Sequence, residues 1–171
     1  TIYGIAGSLT ALKAHKRYIE DDLNRLWTKQ QIQNIISKAH VNEDEAELVE
    51  LNTILNEILE KHKPPFYFVD LHTTSSKTLP FITINDALIN RKFSKQFPVP
   101  IVLGIEEYLN GPLLSYINAL GLVSLGFESG QHHELRAISN SIAFIGLLFP
   151  IKISSICVII FSIIILFIAK P

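Results

Sequence analysis

The sequence predicts an α/β domain with a mostly parallel sheet, and three observations carry that prediction. Short apolar runs rich in β-branched and aromatic residues recur along the chain. Segments with helical spacing or capping signals separate them, and the connections are short and turn-like. With 171 residues, 48% of them hydrophobic and 18% charged, the chain suits one domain with a real core.

The elements follow in order. Residues 2–6 are a short β-prone run closed by Gly7 and Ser8, with Ser8 placed to cap a helix over 9–15. Residues 18–27 crowd acids, Asn and Arg together without a clear period. Asn42 followed by Glu45 is a capping-box pattern, and the helix it opens repeats Leu48, Leu51, Leu55, Ile58 and Leu59 at three and four. Acids fill its first turn, and Lys61 and Lys63 close it before Pro64 and Pro65. Residues 66–71, aromatic and β-branched without alternation, read as a strand buried on both faces. Residues 81–84 form another strand, Asp86 caps a helix through Phe97, and 99–103 form a third buried strand. Pro112 suits the first turn of a helix ending near Gly121; residues 122–127 give a fourth strand and 133–149 a last amphipathic helix.

Charge excludes some functions. The 15 Lys and Arg residues nearly balance the 16 Asp and Glu, which leaves no footprint for nucleic acid or an anionic membrane surface. The single cysteine, Cys157, rules out an internal disulfide framework and any CxxC metal site.

Three polar clusters fall at or near strand ends, where open α/β sheets gather functional residues. In Asp70-Leu71-His72-Thr73-Thr74-Ser75-Ser76 a histidine follows a buried strand, with an aspartate two residues back. It suits either a metal ligand oriented through its other ring nitrogen or a hydrogen-bonded strand end. In the stretch from Arg17 to Arg25 the arginines either clamp a carboxylate and polarise a carbonyl, or decorate a solvated turn. In Gly126-Phe127-Glu128-Ser129-Gly130-Gln131-His132-His133 a glutamate ends an apolar strand, a setting that raises a carboxyl pKa and suits a general base. His132 and His133 beside it either bind metal or face solvent. His15, His40 and His62 stand in polar helical stretches and are expected at the surface.

Taken in order, these clusters resemble the succinylglutamate desuccinylase/aspartoacylase family of zinc-dependent hydrolases, relatives of the carboxypeptidase A-like fold. RYIEDDLNRLW is similar to that family's arginine motif, R-Y-x-x-x-D-L-N-R. DLHTTSS resembles its D-L-H-x-T metal motif, and GFESGQ the segment holding its catalytic glutamate. The likeness spans roughly 2–149. It implies a three-layer α/β sandwich with a mostly parallel or mixed sheet. It further implies that His72 is a zinc ligand, that Glu128 is general base and acid, and that Arg17 polarises the scissile carbonyl. Asn24 and Arg25 would bind a substrate carboxylate. The function implied is zinc-dependent hydrolysis of an amide or ester bond in small N-acyl amino acid-like carboxylates.

The sequence departs from the family pattern at both ends. The family's first two zinc ligands lie in a His-x-x-Glu motif upstream of the arginine motif, whereas the only histidine before Arg17 is His15, with no glutamate at that spacing. The chain holds no methionine and starts at Thr1, so it is expected to be a fragment that lacks that segment. As written it is expected to bind zinc weakly or not at all, because a catalytic zinc takes three protein ligands. The alternative is a non-catalytic remnant of the family, membrane-tethered through its tail. The expected division is a catalytic body over 1–150, cytoplasmic and mildly acidic, followed by a hydrophobic tail over 151–171. Residues 153–169 are apolar except for Ser154, Ser155 and Ser162. Three readings of that tail stay open: a transmembrane anchor, the product of an altered reading frame, and a buried terminal element.

Overall fold

The structure is a computed structural model that describes residues 1–149 and 157–162. The elements are β1 (Ile2–Ala6), α1 (Leu9–Lys13), a 3₁₀ turn (Leu23–Arg25), α2 (Lys29–Ile36), α3 (Glu43–Lys61), β2 (Phe66–Thr74) and β3 (Phe81–Ile84). They continue with α4 (Leu88–Ser94), β4 (Ile101–Leu103), a second 3₁₀ turn (Ile105–Tyr108), α5 (Leu113–Ala119), β5 (Val123–Gln131), α6 (Leu135–Leu148) and β6 (Cys157–Ser162). The strands form one six-stranded sheet in the order β1-β6-β2-β5-β3-β4. All neighbours are parallel except β3 and β5, so the sheet is mixed.

Strand periodicity of two divides the core between the faces. On β2, Phe66 and Phe68 join the cluster built with Leu48, Leu51 and Leu55 of α3, Ile32 and Ile35 of α2 and Ile117 of α5. Val69 and Leu71 join the opposite cluster, with Phe93 of α4 and Phe144 and Leu148 of α6. The result is three layers, helix on sheet on helix.

The best-marked helix is the most local one. Asn42 accepts from the Glu45 amide, and the Glu45 carboxylate accepts from the Asn42 amide, so the capping box closes as expected. Other ends differ. Ser8 precedes α1 with φ 53° and makes no side-chain cap, and α1 stops at Lys13. Ala87, not Asp86, precedes α4, because the Asp86 carboxylate is engaged by the Arg91 guanidinium. The helix α2 was not anticipated, and Thr28 caps it by accepting from the Gln31 amide.

The largest correction concerns the carboxyl-terminal tail. Residues 157–162 are not part of an apolar helix or a transmembrane helix; of the readings left open, they match the buried element, as β6 between β1 and β2. Cys157 and Ile159 face one core cluster, Val158 and Ile160 the other, which is the pattern of a strand buried on both faces. The remaining parts of the expected tail, 151–156 and 163–171, lie outside the described residues. Among the described residues no helix is long and apolar enough to cross a membrane.

Candidate active site

Two long parallel strands set the centre of the site. β2 and β5 both run further than their apolar runs suggest, to Thr74 and Gln131, so His72 and Glu128 sit on the strands rather than beyond them. In the β2–β5 register His72 is opposite Glu128, which brings the two onto one face as neighbours. The Ser129 hydroxyl donates to the His72 carbonyl at 2.9 Å, and Asn140 Nδ2 donates to the Ser129 carbonyl at 2.8 Å. Helix α6 is thereby tied to β5, which carries Glu128, and β5 in turn to β2, which carries His72.

A second unit brings the arginines in. Asp44, 2% exposed in the first turn of α3, accepts from the backbone amides of Ile19, Glu20 and Asp21 at 3.2, 2.7 and 2.9 Å. Asp22 then caps the first 3₁₀ turn by accepting from the Asn24 amide, and its other oxygen pairs with Arg17 at 2.9 Å. Asn24 Oδ1 accepts from the Leu113 amide at 2.9 Å, which fastens this segment to the start of α5.

These units enclose a cavity of about 210 Å³ whose walls include Arg17, Asn24, Arg25, His72 and Glu128, together with Thr73, Thr83, Phe81, Ile105, Glu106 and Leu109. The five residues to which the resemblance assigns roles therefore line one space, and His132 and His133 do not line it. Glu106 is the addition. It stands in the second 3₁₀ turn, just past the carboxyl end of β4, and that position was the available signal for it. His132 stands at one side, its Nδ1 2.6 Å from the Thr73 hydroxyl. His15 and His40 are exposed as expected, whereas His62 is half-buried with its Nε2 2.7 Å from the Tyr3 hydroxyl.

Burial controls the electrostatics. It opposes a charged His72, yet the Asp70 carboxylate 2.5 Å away, with Glu128 and Glu106 nearby, holds the imidazolium up to a pKa of about 9. Burial pushes the Glu128 carboxyl above its ordinary value; the His72 charge opposes that rise and Asp70 adds to it. Glu106 is also raised by burial, again against the pull of His72. Glu128 Oε2 and Glu106 Oε2 are buried and accept no hydrogen bond.

His72 Nε2 lies beside the Asp70 carboxylate, an oxygen that can orient an imidazole ring. Among the described residues no three His, Cys, Asp or Glu side chains converge as ligands would. The groups present form a small polar cleft that brings guanidinium, amide, imidazole and carboxylate groups together.

Such a cleft, at the carboxyl ends of a mixed sheet between two helical layers, defines a three-layer α/β protein with a candidate site at its sheet edge. The sequence profile of the Succinylglutamate desuccinylase/Aspartoacylase catalytic domain matches residues 1–143, and the chain belongs to that family. Solved structures share the fold. The succinylglutamate desuccinylase from Chromobacterium violaceum superposes with a TM-score of 0.63 at 15% identity, covering 89% of this chain and 52% of that one. A succinylglutamate desuccinylase/aspartoacylase from Rhodobacter sphaeroides gives 0.57 at 16% identity, with 81% and 40% covered. The product-bound ectoine utilization protein EutE (DoeB) from Ruegeria pomeroyi gives 0.57 at 16%, with 86% and 48% covered. The chain thus spans about half the length of these relatives or less. No curated protein sequence matches it.

Proposed function

We propose that the chain carries the substrate-binding and proton-transfer groups of a hydrolase that cleaves amide or ester bonds in small N-acyl amino acid-like carboxylates. The observation that carries this reading is the convergence of Arg17, Asn24, Arg25, His72 and Glu128 on one small cavity. Arg25 and the Asn24 amide bind the substrate carboxylate, a planar anion that a guanidinium matches in charge and shape. Arg17, oriented by Asp22, directs its remaining N–H donors at the carbonyl oxygen where negative charge develops. Glu128, whose carboxyl is raised by burial, accepts a proton from the attacking water and returns it to the leaving amine. The zinc ion implied by the resemblance would take His72 as one ligand and supply Lewis acidity. The described residues offer no complete set for it, so no step is routed through it.

The test is amine release from a panel of N-acyl amino acids, with zinc content measured on the same sample. Glu128→Gln is expected to lower kcat by about 10²–10⁴-fold. A Glu128→Gln protein that hydrolyses as fast as the parent overturns the role of Glu128. A protein that hydrolyses none of the panel supports the non-catalytic alternative.

A further inference from the structure

His132 has none of the roles assigned above, yet it joins the two strands that carry His72 and Glu128. β2 and β5 pair residue for residue from Tyr67 and Val123 to His72 and Glu128, and then Thr74 pairs with Gln131. Two residues of β2 therefore face three of β5. The extra residue makes a bulge at Ser129 and Gly130, where Gly130 has φ 126°. A β-carbon on Gly130 would meet nothing nearer than Ala137 at 3.8 Å, so backbone conformation rather than space calls for glycine there.

The bulge decides where the histidine goes. Side chains alternate between the faces of a strand, so in unbroken register His132, four residues past Glu128, would stand on the Glu128 face. One inserted residue reverses that alternation and delivers His132 to Thr73, the neighbour of His72. Its Nδ1 lies 2.6 Å from the Thr73 hydroxyl, and its amide donates to the Thr74 carbonyl at 2.9 Å. Past Thr74 the chain enters an exposed stretch, Ser75 to Leu79, that offers the strand end no packing. A strand end of that kind frays unless hydrogen bonds hold it.

We propose that His132 is a positioning residue, whose ring and amide clamp the end of β2 to the bulge of β5 and so keep Glu128 opposite His72. The Ser129 hydroxyl, donating to the His72 carbonyl at 2.9 Å, works in the same sense from inside the bulge. The consequence for turnover rests on the hydrolase reading, in which Glu128 moves the proton. Loosening the clamp then lowers turnover and spares affinity, because Asn24 and Arg25 stand on a separate segment fastened to α3 and α5.

The experiment compares the full chain with H132N, H132Q and T73V. An asparagine amide can stand where Nδ1 stands, a glutamine amide cannot, and T73V removes the hydroxyl. NMR reads two quantities: the Overhauser contact between the His72 ring and the Glu128 methylenes, and exchange of the residue-132 amide relative to its intrinsic rate. In H132Q and T73V the contact is expected to weaken and the exchange to quicken about fivefold, while H132N keeps both. Amine release from the N-acyl amino acid panel gives the kinetic reading. H132Q should lower kcat by about 10- to 100-fold with KM unchanged, and H132N should recover it. If H132Q retains the contact and the slow exchange, or if H132N behaves like H132Q, the inference falls. A kcat and KM that change together with a lowered melting temperature mark a merely structural role and also overturn it. An inactive parent chain counts against the hydrolase reading alone, and the NMR readings then decide this inference. Should H132Q not fold, T73V and H132N decide it by the same readings.

Discussion

Gly111 lies directly against the backbone of Arg25: a β-carbon on Gly111 would sit 2.3 Å from the Arg25 carbonyl oxygen and 2.9 Å from its carbonyl carbon. The Gly111 carbonyl accepts from the Trp27 amide at 3.0 Å, and its φ of 65° is in the left-handed region. The position is thus restricted twice, by space and by backbone conformation. Gly111→Ala is expected to destabilise the fold by about 1–3 kcal/mol and to push the Arg25 segment away from the cavity. Denaturant unfolding reads the first effect, and weaker binding of an N-acyl amino acid reads the second. A variant with parental stability and affinity would show that this contact does not position Arg25.

Asp44 controls the other end of the same segment. Its carboxylate gathers the Ile19, Glu20 and Asp21 amides while almost fully buried, so its loss leaves those donors without their acceptor. Asp44→Ala should cost about 2–3 kcal/mol, in the range for hydrogen bonds to a charged group. Limited proteolysis of the variant should cut within 15–22 before any other site. Equal resistance of variant and parent would mean that the loop is held by other contacts.

What the sequence made legible follows from how local each signal is. The capping box of Asn42 and Glu45, the spacing from Leu48 to Ile58 and the apolar run from Phe66 lie within a few turns of chain, and each forms as expected. Residues Arg17, Asn24, Arg25, His72 and Glu128 were legible as a motif series, and they converge on one cavity. For 157–162 the anchor and the buried terminal element both stay open in the sequence, because a strand buried on both faces and a membrane helix share one composition and only tertiary pairing separates them. Helix α2 carries just Ile32 and Ile35 in its buried face, too few to show a period, although Thr28 and Gln31 mark its start. Glu106 belongs to no motif, and its burial in the second 3₁₀ turn is a property of the folded chain alone.

The placement of β6 has its own consequence. Ile159 is fully buried between β1 and β2, opposite Tyr3 on one side and Phe68 on the other. Ile159→Ala should therefore cost about 2–5 kcal/mol, the range for removing a large aliphatic side chain from a packed core. A membrane-anchoring role predicts no such loss for the isolated protein in detergent-free buffer. Thermal unfolding of the variant distinguishes the two, and an unchanged midpoint would contradict the central position of β6.

Acid should expose the contribution of Glu45. The ammonium of Lys38 donates to its carboxylate, and that bond lowers the Glu45 pKa below the ordinary 4.5; burial opposes the shift and the Asn42 amide assists it. A carboxyl lowered in the folded state contributes stability that is present above its unfolded pKa and disappears as pH falls through the folded value. The window therefore opens near 4.5 and extends downward. Lys38→Met removes the partner and leaves the Asn42–Glu45 capping box in place. At neutral pH it should lower stability by up to about 1 kcal/mol, since Lys38 itself is solvent-exposed. The difference from the parent should shrink as the buffer is taken below the ordinary glutamate range, because both proteins then hold a protonated Glu45. Urea unfolding of the pair across that window checks the sign. A gap that widens with acid would show that the Lys38 contact does not act through the Glu45 charge.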